Sequence, residues 1–363
     1  MRNNRGRAGV LPIAIGIAGA VIAGGFAMAQ QGPPSQPPGN SLTVPVAPHQ
    51  NPMPSAGASP MQPPHPQPDD ALELPSLRLR RQLGYQQVTI TVTDKSGKYI
   101  TNLNEDDFRI FEDGEQRSIL FFRTDRNAPV SVGIVVDCSS SMATKFPQAR
   151  AAIRKFVDDL DLNDDIFLES FSVEAELMQP FTLDHSKIIK QMDFLHPMTQ
   201  TSLYDAILMG LVEVERGRRD KKALLVVTDG MDNRSTFSLT QVIGLARRLK
   251  VLIYSIGIGD EQAQEPGLMR GMLSPDSEQV DAKTLKTLSE ETGAKTYLLR
   301  RVGDGAELVK DCEAISNELR QQYTIGYVSV DPGRPGYRSL RVDTPTHPDL
   351  SVRVRKGVAV RPP

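Results

Sequence analysis

The chain has 363 residues, with 42 Lys and Arg against 44 Asp and Glu, a formal net charge of −2. This balance excludes a chain-wide electrostatic bias toward nucleic acid or anionic membrane. No tryptophan is present and no aromatic residues interleave with the basic ones, which argues against a stacking platform for single strands.

In chain order, residues 1–29 predict an export signal. Arg2, Arg5 and Arg7 precede an apolar stretch from Val10 to Phe26, and Ala27-Met28-Ala29 offers a cleavage site before Gln30. Cleavage is expected; an uncleaved membrane anchor is the alternative. Either way the protein is expected outside the cytoplasm, in the periplasm, at the cell surface or secreted. Residues 30–83 form a linker that holds more than half of the prolines and cannot bury a core.

Residues 84–128 read as the first part of a β-sandwich. Val88, Ile90 and Val92 alternate with threonines, the period of a half-buried strand. Phe108–Phe111 and Ile119–Phe122 flank Asp113-Gly114, which predicts a hairpin between those two runs. Residues 129–322 then alternate strand and helix. The strands are Val132–Val136, Ile166–Phe171, Leu224–Thr228, Leu252–Ile258 and Lys295–Leu299, with helices over Phe146–Leu160, Leu203–Val214, Leu239–Leu249 and Ala306–Gln322. Such alternation specifies an α/β fold, a doubly wound and mostly parallel sheet with helices on both faces. Glu174–Thr182 reads as an antiparallel edge strand, and residues 260–280 as an inserted surface loop. Residues 323–360 return to strands. Each β flank is too short to stand alone, so one small sandwich built from both is expected.

The basic cluster Arg216, Arg218, Arg219, Lys221 and Lys222 falls where a helix ends and is expected to be solvated there. Cys138 lies in a loop and Cys312 in a helix; two buried free thiols are expected, although an oxidising compartment would permit a bond.

Ligands of open parallel sheets bind at the carboxyl ends of the strands, and three such junctions here carry hard oxygen donors. The first is Asp137-Cys138-Ser139-Ser140-Ser141, a D-x-S-x-S pattern. The second is Thr199-Gln200-Thr201-Ser202-Leu203-Tyr204-Asp205-Ala206. The third is Thr228-Asp229-Gly230-Met231-Asp232-Asn233. Carboxylates and hydroxyls suit Mg²⁺, Mn²⁺ or Ca²⁺. Asp205 is expected to support the N-terminus of its own helix; Asp232 is either a supporting residue or a solvated turn residue.

These segments resemble the metal-ion-dependent adhesion site of von Willebrand factor type A domains. The resemblance implies Asp137, Ser139, Ser141, Thr201 and Asp229 as metal ligands; Thr201 is preferred to Thr199 because it precedes the Leu203-Tyr204-Asp205-Ala206 run. Val92–Gly97, Glu105–Phe108, Phe111–Glu115 and Gln322–Tyr327 are similar to a VWFA-related family described mainly from acidobacteria. The function so implied is metal-dependent capture of an exposed Asp or Glu on a protein or matrix partner. The alternative is an envelope scaffold with metal-independent contacts. No nucleophile elbow, phosphate loop or zinc-protease helix occurs, and the five histidines lie outside the three segments, so an enzyme is not expected.

Overall fold

The computed structural model describes residues 84–198, 200–261, 279–299, 305–329 and 334–360, all within one compact unit, Pro66–Pro363. The expected signal and linker, Thr199 and the centre of the 260–280 insertion lie outside the described residues.

The N-terminal flank contributes β1 (Tyr85–Thr93), β2 (Arg109–Glu112), β3 (Glu115–Arg117) and β4 (Ile119–Thr124). Val88, Ile90 and Val92 of β1 are buried, as their alternation requires. The hairpin differs from expectation. Asp113-Gly114 turns β2 onto β3, with Glu112 opposite Glu115, and both turn residues have positive φ, 50° and 84°. A two-residue turn of this kind pairs the residues immediately beside it, so the run from Ile119 is too far along to be the partner. It forms β4 in another sheet instead.

The α/β part runs β5 (Val130–Asp137), α1 (Phe146–Asp159), β6 (Asp165–Phe171), β7 (Ala175–Thr182), α2 (His185–Met192), α3 (Leu203–Val214), β8 (Lys221–Thr228), α4 (Leu239–Leu249) and β9 (Leu252–Ile258). It continues with the short pair β10 (Asp260–Glu261) and β11 (Gln279–Val280), then α5 (Ala282–Thr292), β12 (Thr296–Leu299) and α6 (Gly305–Leu319). The six-stranded sheet has the order β12-β9-β8-β5-β6-β7. Its neighbours are parallel except for β6 and β7. Every residue of β5, β6 and β9 is buried, which follows from helices on both faces. On one face Val132, Ile134 and Val136 pack with Ile153 and Phe156 of α1 and with Leu308 and Ile315 of α6. On the other, Val135 packs with α3, α4 and α5. Among the described residues no helix is long and apolar enough to cross a membrane.

The C-terminal flank adds β13 (Gln322–Val328), β14 (Gly336–Asp343), β15 (Ser351–Val354) and β16 (Gly357–Val360). Two four-stranded sheets result, β15-β1-β13-β4 and β16-β14-β2-β3. Val88 and Ile90 of the first flank pair with Ile325 and Tyr323 of the last, and Ile110 pairs with Val342. Ile90, Ile110, Tyr323, Ile325 and Val342 share one apolar core, so both flanks build the sandwich.

The basic cluster is not simply a solvated helix end. Lys221 opens β8 and is buried; its Nζ donates to Leu319 O at 2.7 Å and lies 3.6 Å from Asp125. Pairing of β8 with central β5 draws this lysine beneath the C-terminus of α6, where unpaired carbonyls favour a cation.

A buried ionisable group sets a pH dependence. Glu169 of β6 is 2% exposed, lies against Gly210 of α3, and its Oε1 has no hydrogen-bond partner among the described residues. Burial, reinforced by the nearby Glu213, pushes its carboxyl up to about 8. The folded state then holds a proton that the unfolded chain has released, so stability falls as pH rises from about 4.5 to about 8. The expected loss is on the order of a few kcal/mol. Denaturant unfolding at pH 5, 7 and 9 should show it, and Glu169→Gln should flatten the slope; an equal slope in that variant would refute the assignment.

Candidate metal centre

The sheet order reverses at β5, the first strand of the parallel set, with β6 on one side and β8 on the other. A crevice is expected at the carboxyl ends of the strands flanking such a reversal. Asp137 closes β5, and Asp229 directly follows β8. Both are buried, at 0% and 1% exposure.

Asp137 is held from two sides. Its Oδ1 accepts from Ser139 N at 2.8 Å, and its Oδ2 accepts from Thr228 Oγ1 at 2.5 Å. Thr228 Oγ1 itself accepts from Gly230 N at 2.9 Å, which links the first loop to the third. The Ser139 and Ser141 hydroxyls lie 2.9 Å apart. Ser139 is buried and Ser141 exposed, so this pair runs from the carboxylates outward to solvent. Burial pushes the Asp137 carboxyl up to about 7, and the Asp229 charge adds to the rise against the hydrogen bonds from Thr228 and Ser139.

Asp229 is fixed by its neighbours. Its Oδ1 accepts from Met231 N at 3.2 Å, and its carbonyl accepts from Asp281 N at 3.0 Å. Gly230 has φ +79°, and a Cβ there would approach Asp281 O to 3.2 Å; the turn therefore takes glycine. Asp229 Oδ2 lies 3.9 Å from Lys145 Nζ.

Thr201 is buried, and its backbone bonds to the third loop. Its N donates to Asn233 Oδ1 at 3.2 Å, and Asn233 N donates to Thr201 O at 3.1 Å. This reciprocal pair ties the second loop to the third. Asp205 lies in the first turn of α3, where its charge favours the helix N-terminus as expected, and it also serves the third loop. Its carboxylate accepts from Thr236 N and Phe237 N, at 3.0 and 2.9 Å, and so holds the third loop. The cap of α3 comes from that loop. Asp232 Oδ1 accepts from Leu203 N at 2.9 Å, and Ser235 Oγ accepts from Tyr204 N at 3.0 Å. A side chain in the first turn of a helix leans back toward the N-terminus, where here the third loop passes. Asp232 is thus a supporting residue.

Cys138 and Cys312 are both buried and unbonded, and burial pushes the Cys138 thiol up to about 12. The residues that the sequence reading did not assign are Thr228 and Lys145. The first was legible as a strand end, and nothing in the local pattern marks the second.

Among the described residues no group of three or more His, Cys, Asp or Glu side chains could hold a metal. A cation here would need hydroxyl oxygens beside the two carboxylates. The donor set present, Asp137 and Asp229 with Ser139, Ser141 and Thr201, has the hard-oxygen chemistry that fits Mg²⁺, Mn²⁺ or Ca²⁺.

Solved structures with similar chains include a von Willebrand factor type A protein from Catenulispora acidiphila. It is 13% identical, covers 70% of this chain and 75% of that one, and has a TM-score of 0.45. The von Willebrand factor domain of a type V pilus tip protein from Porphyromonas gingivalis is 14% identical, covering 53% of this chain and 96% of that one, with a TM-score of 0.40. Proximal thread matrix protein 1 of the mussel byssus, solved with a zinc-occupied MIDAS motif, is 15% identical over 55% of this chain and 47% of that one, with a TM-score of 0.43. An uncharacterized protein of Borreliella burgdorferi is 32% identical over 185 residues, 47% of this chain and 54% of that protein. The chain thus spans about half the length of this curated relative. The sequence profile of the von Willebrand factor type A domain matches residues 131–308, from within β5 into α6. This match and the six-stranded sheet flanked by helices agree, and the chain carries a von Willebrand factor type A domain.

Proposed function

We propose that the α/β domain is a binding module that holds a divalent cation on Asp137, Ser139, Ser141, Thr201 and Asp229, and through it captures an acidic side chain of a protein or matrix partner outside the cytoplasm. The observation that carries this reading is the pair of buried carboxylates at adjacent strand ends. Two acids taken out of water together are unfavourable unless more positive charge offsets them than the single Lys145 ammonium near Asp229 supplies, and the hydroxyls beside them suit a hard divalent ion. With neutral hydroxyls as its other ligands, a divalent ion balanced by the two acids would keep a coordination position open for a partner carboxylate. The protein's own residues orient the donors: Thr228 and Ser139 N fix the Asp137 carboxylate, and Asn233 fixes the Thr201 loop. The module is read as non-enzymatic, and export rests on the sequence of residues 1–29.

Calorimetric titration of the purified full-length chain with Mg²⁺ and Mn²⁺ tests this. Saturable binding is expected in the parent. Disturbing residues that only support a ligand typically costs about 10–100-fold in affinity, so Asp137→Ala and Asp229→Ala should each lose ~100-fold or more. Circular dichroism checks that both variants fold. Absence of binding in the parent, or full binding in both variants, would sink the proposal. If partner contact survives chelation, the scaffold reading replaces capture through a metal.

A further inference from the structure

Lys145 is placed against two electrostatic preferences. It is 1% exposed, although an ammonium taken out of water is costly. It also sits at the N-cap of α1, its carbonyl accepting from Ala149 N at 3.0 Å, where the helix dipole disfavours a cation. Compensation comes from the strand ends. Its Nζ lies 3.9 Å from Asp229 Oδ2, and Asp137 stands at the end of the neighbouring strand. At that separation the ammonium attracts the carboxylate without a close hydrogen bond, and a lysine stem is long and flexible enough to withdraw.

Charge arithmetic makes the lysine a competitor. Two ionised carboxylates with one ammonium leave a net charge of −1. The same pair with a divalent ion is neutral. Ion and ammonium together would bury a net positive charge beside a helix N-terminus. Resting on the proposed metal reading, we infer that Lys145 is a built-in counter-ion for Asp229. It stabilises the metal-free site, must withdraw when a divalent ion binds, and so lowers the affinity of the site for that ion.

The test is Lys145→Met in the full-length chain, by thermal melting in EDTA and in excess Mg²⁺ and by Mg²⁺ calorimetry. In EDTA the variant should melt below the parent. Mg²⁺ should raise its Tm by more than it raises the parent's, and its Kd should tighten by about tenfold or more, because the ammonium 3.9 Å from Asp229 Oδ2 no longer competes for that carboxylate. A lysine that merely packs would lower both melting temperatures without this gain. A chelator cycle with Asp229→Asn separates the two readings. If the lysine pairs with Asp229, Lys145→Met should cost much less in the Asp229→Asn background. Unchanged or weaker Mg²⁺ binding in the variant, with binding intact in the parent, overturns the inference and leaves the metal reading standing. Absence of binding in both chains removes the metal reading and the competition with it; coupling in the chelator cycle would then still support the counter-ion, and additive losses would overturn that too.

Discussion

Replacing Glu318 by alanine is expected to cost about 3 kcal/mol of folding stability, the largest single loss the structure points to outside the apolar cores. Glu318 lies in the last turn of α6 and is fully buried. Its Oε1 accepts from Tyr254 Oη of β9 at 2.7 Å and lies 2.5 Å from Arg353 Nη2 of β15; its Oε2 accepts from Tyr99 Oη at 3.1 Å. Gln322 extends the network, donating to Tyr254 Oη and to Thr91 Oγ1 of β1, at 3.1 and 3.0 Å. One carboxylate therefore ties the last α/β helix to the parallel sheet and to the sandwich. Deleting it takes an acceptor from a guanidinium and from the Tyr254, Tyr99 and Thr91 hydroxyls. Breaking a buried pair in this way costs about 3–5 kcal/mol, and Arg353, with its side chain still 26% exposed, places the loss at the low end. Guanidinium unfolding measures it. Glu318→Met combined with Arg353→Met should recover much of the loss, since a buried pair replaced as a unit by apolar groups is often neutral. A cost below about 1 kcal/mol for Glu318→Ala would place the carboxylate in water rather than in a buried network.

Gly133→Ala is expected to be nearly as damaging, by about 3 kcal/mol, at the upper end of ordinary overpacking. Gly133 sits in the middle of β5 on the face covered by α3. A Cβ there would stand 2.2 Å from Phe167 Cζ and 2.5 Å from Leu224 Cδ2. Phe167 is fully buried and packs edge-on against Phe181, with ring centroids 5.0 Å apart, so its ring has little room to withdraw. Thermal melting of Gly133→Ala and of Gly133→Ala/Phe167→Leu decides the cause. Recovery in the double variant identifies the ring clash; equal losses would trace the effect to the β5 backbone.

Both residues bear on how much of this protein its sequence discloses. The α/β architecture was legible because apolar runs flanked by helical periodicity are local signals: Leu203–Val214 and Leu239–Leu249 were anticipated to the residue. The oxygen donors were legible because D-x-S-x-S and Thr-Asp-Gly sit directly after such runs. Less was visible where a segment is short or its partner distant. Helices α2 and α5 and strand β16 were not anticipated, and the hairpin was assigned the wrong second strand, because a period of a few residues fits several pairings.

Charge placement was the least visible. Lys145, Lys221, Glu169 and Glu318 are ordinary charged residues in the sequence, and a charged residue is by default solvated. What buries each is a distant segment: Asp229 faces Lys145, Leu319 O and Asp125 meet Lys221, α3 covers Glu169, and Arg353 meets Glu318. By itself, then, the sequence determined the strand-helix alternation and which loops carry oxygen donors, since both follow from local periodicity and residue chemistry. The tertiary structure decided which charges leave water and what neutralises them. That depends on Coulomb attraction and desolvation between residues far apart in the chain, which no local pattern encodes.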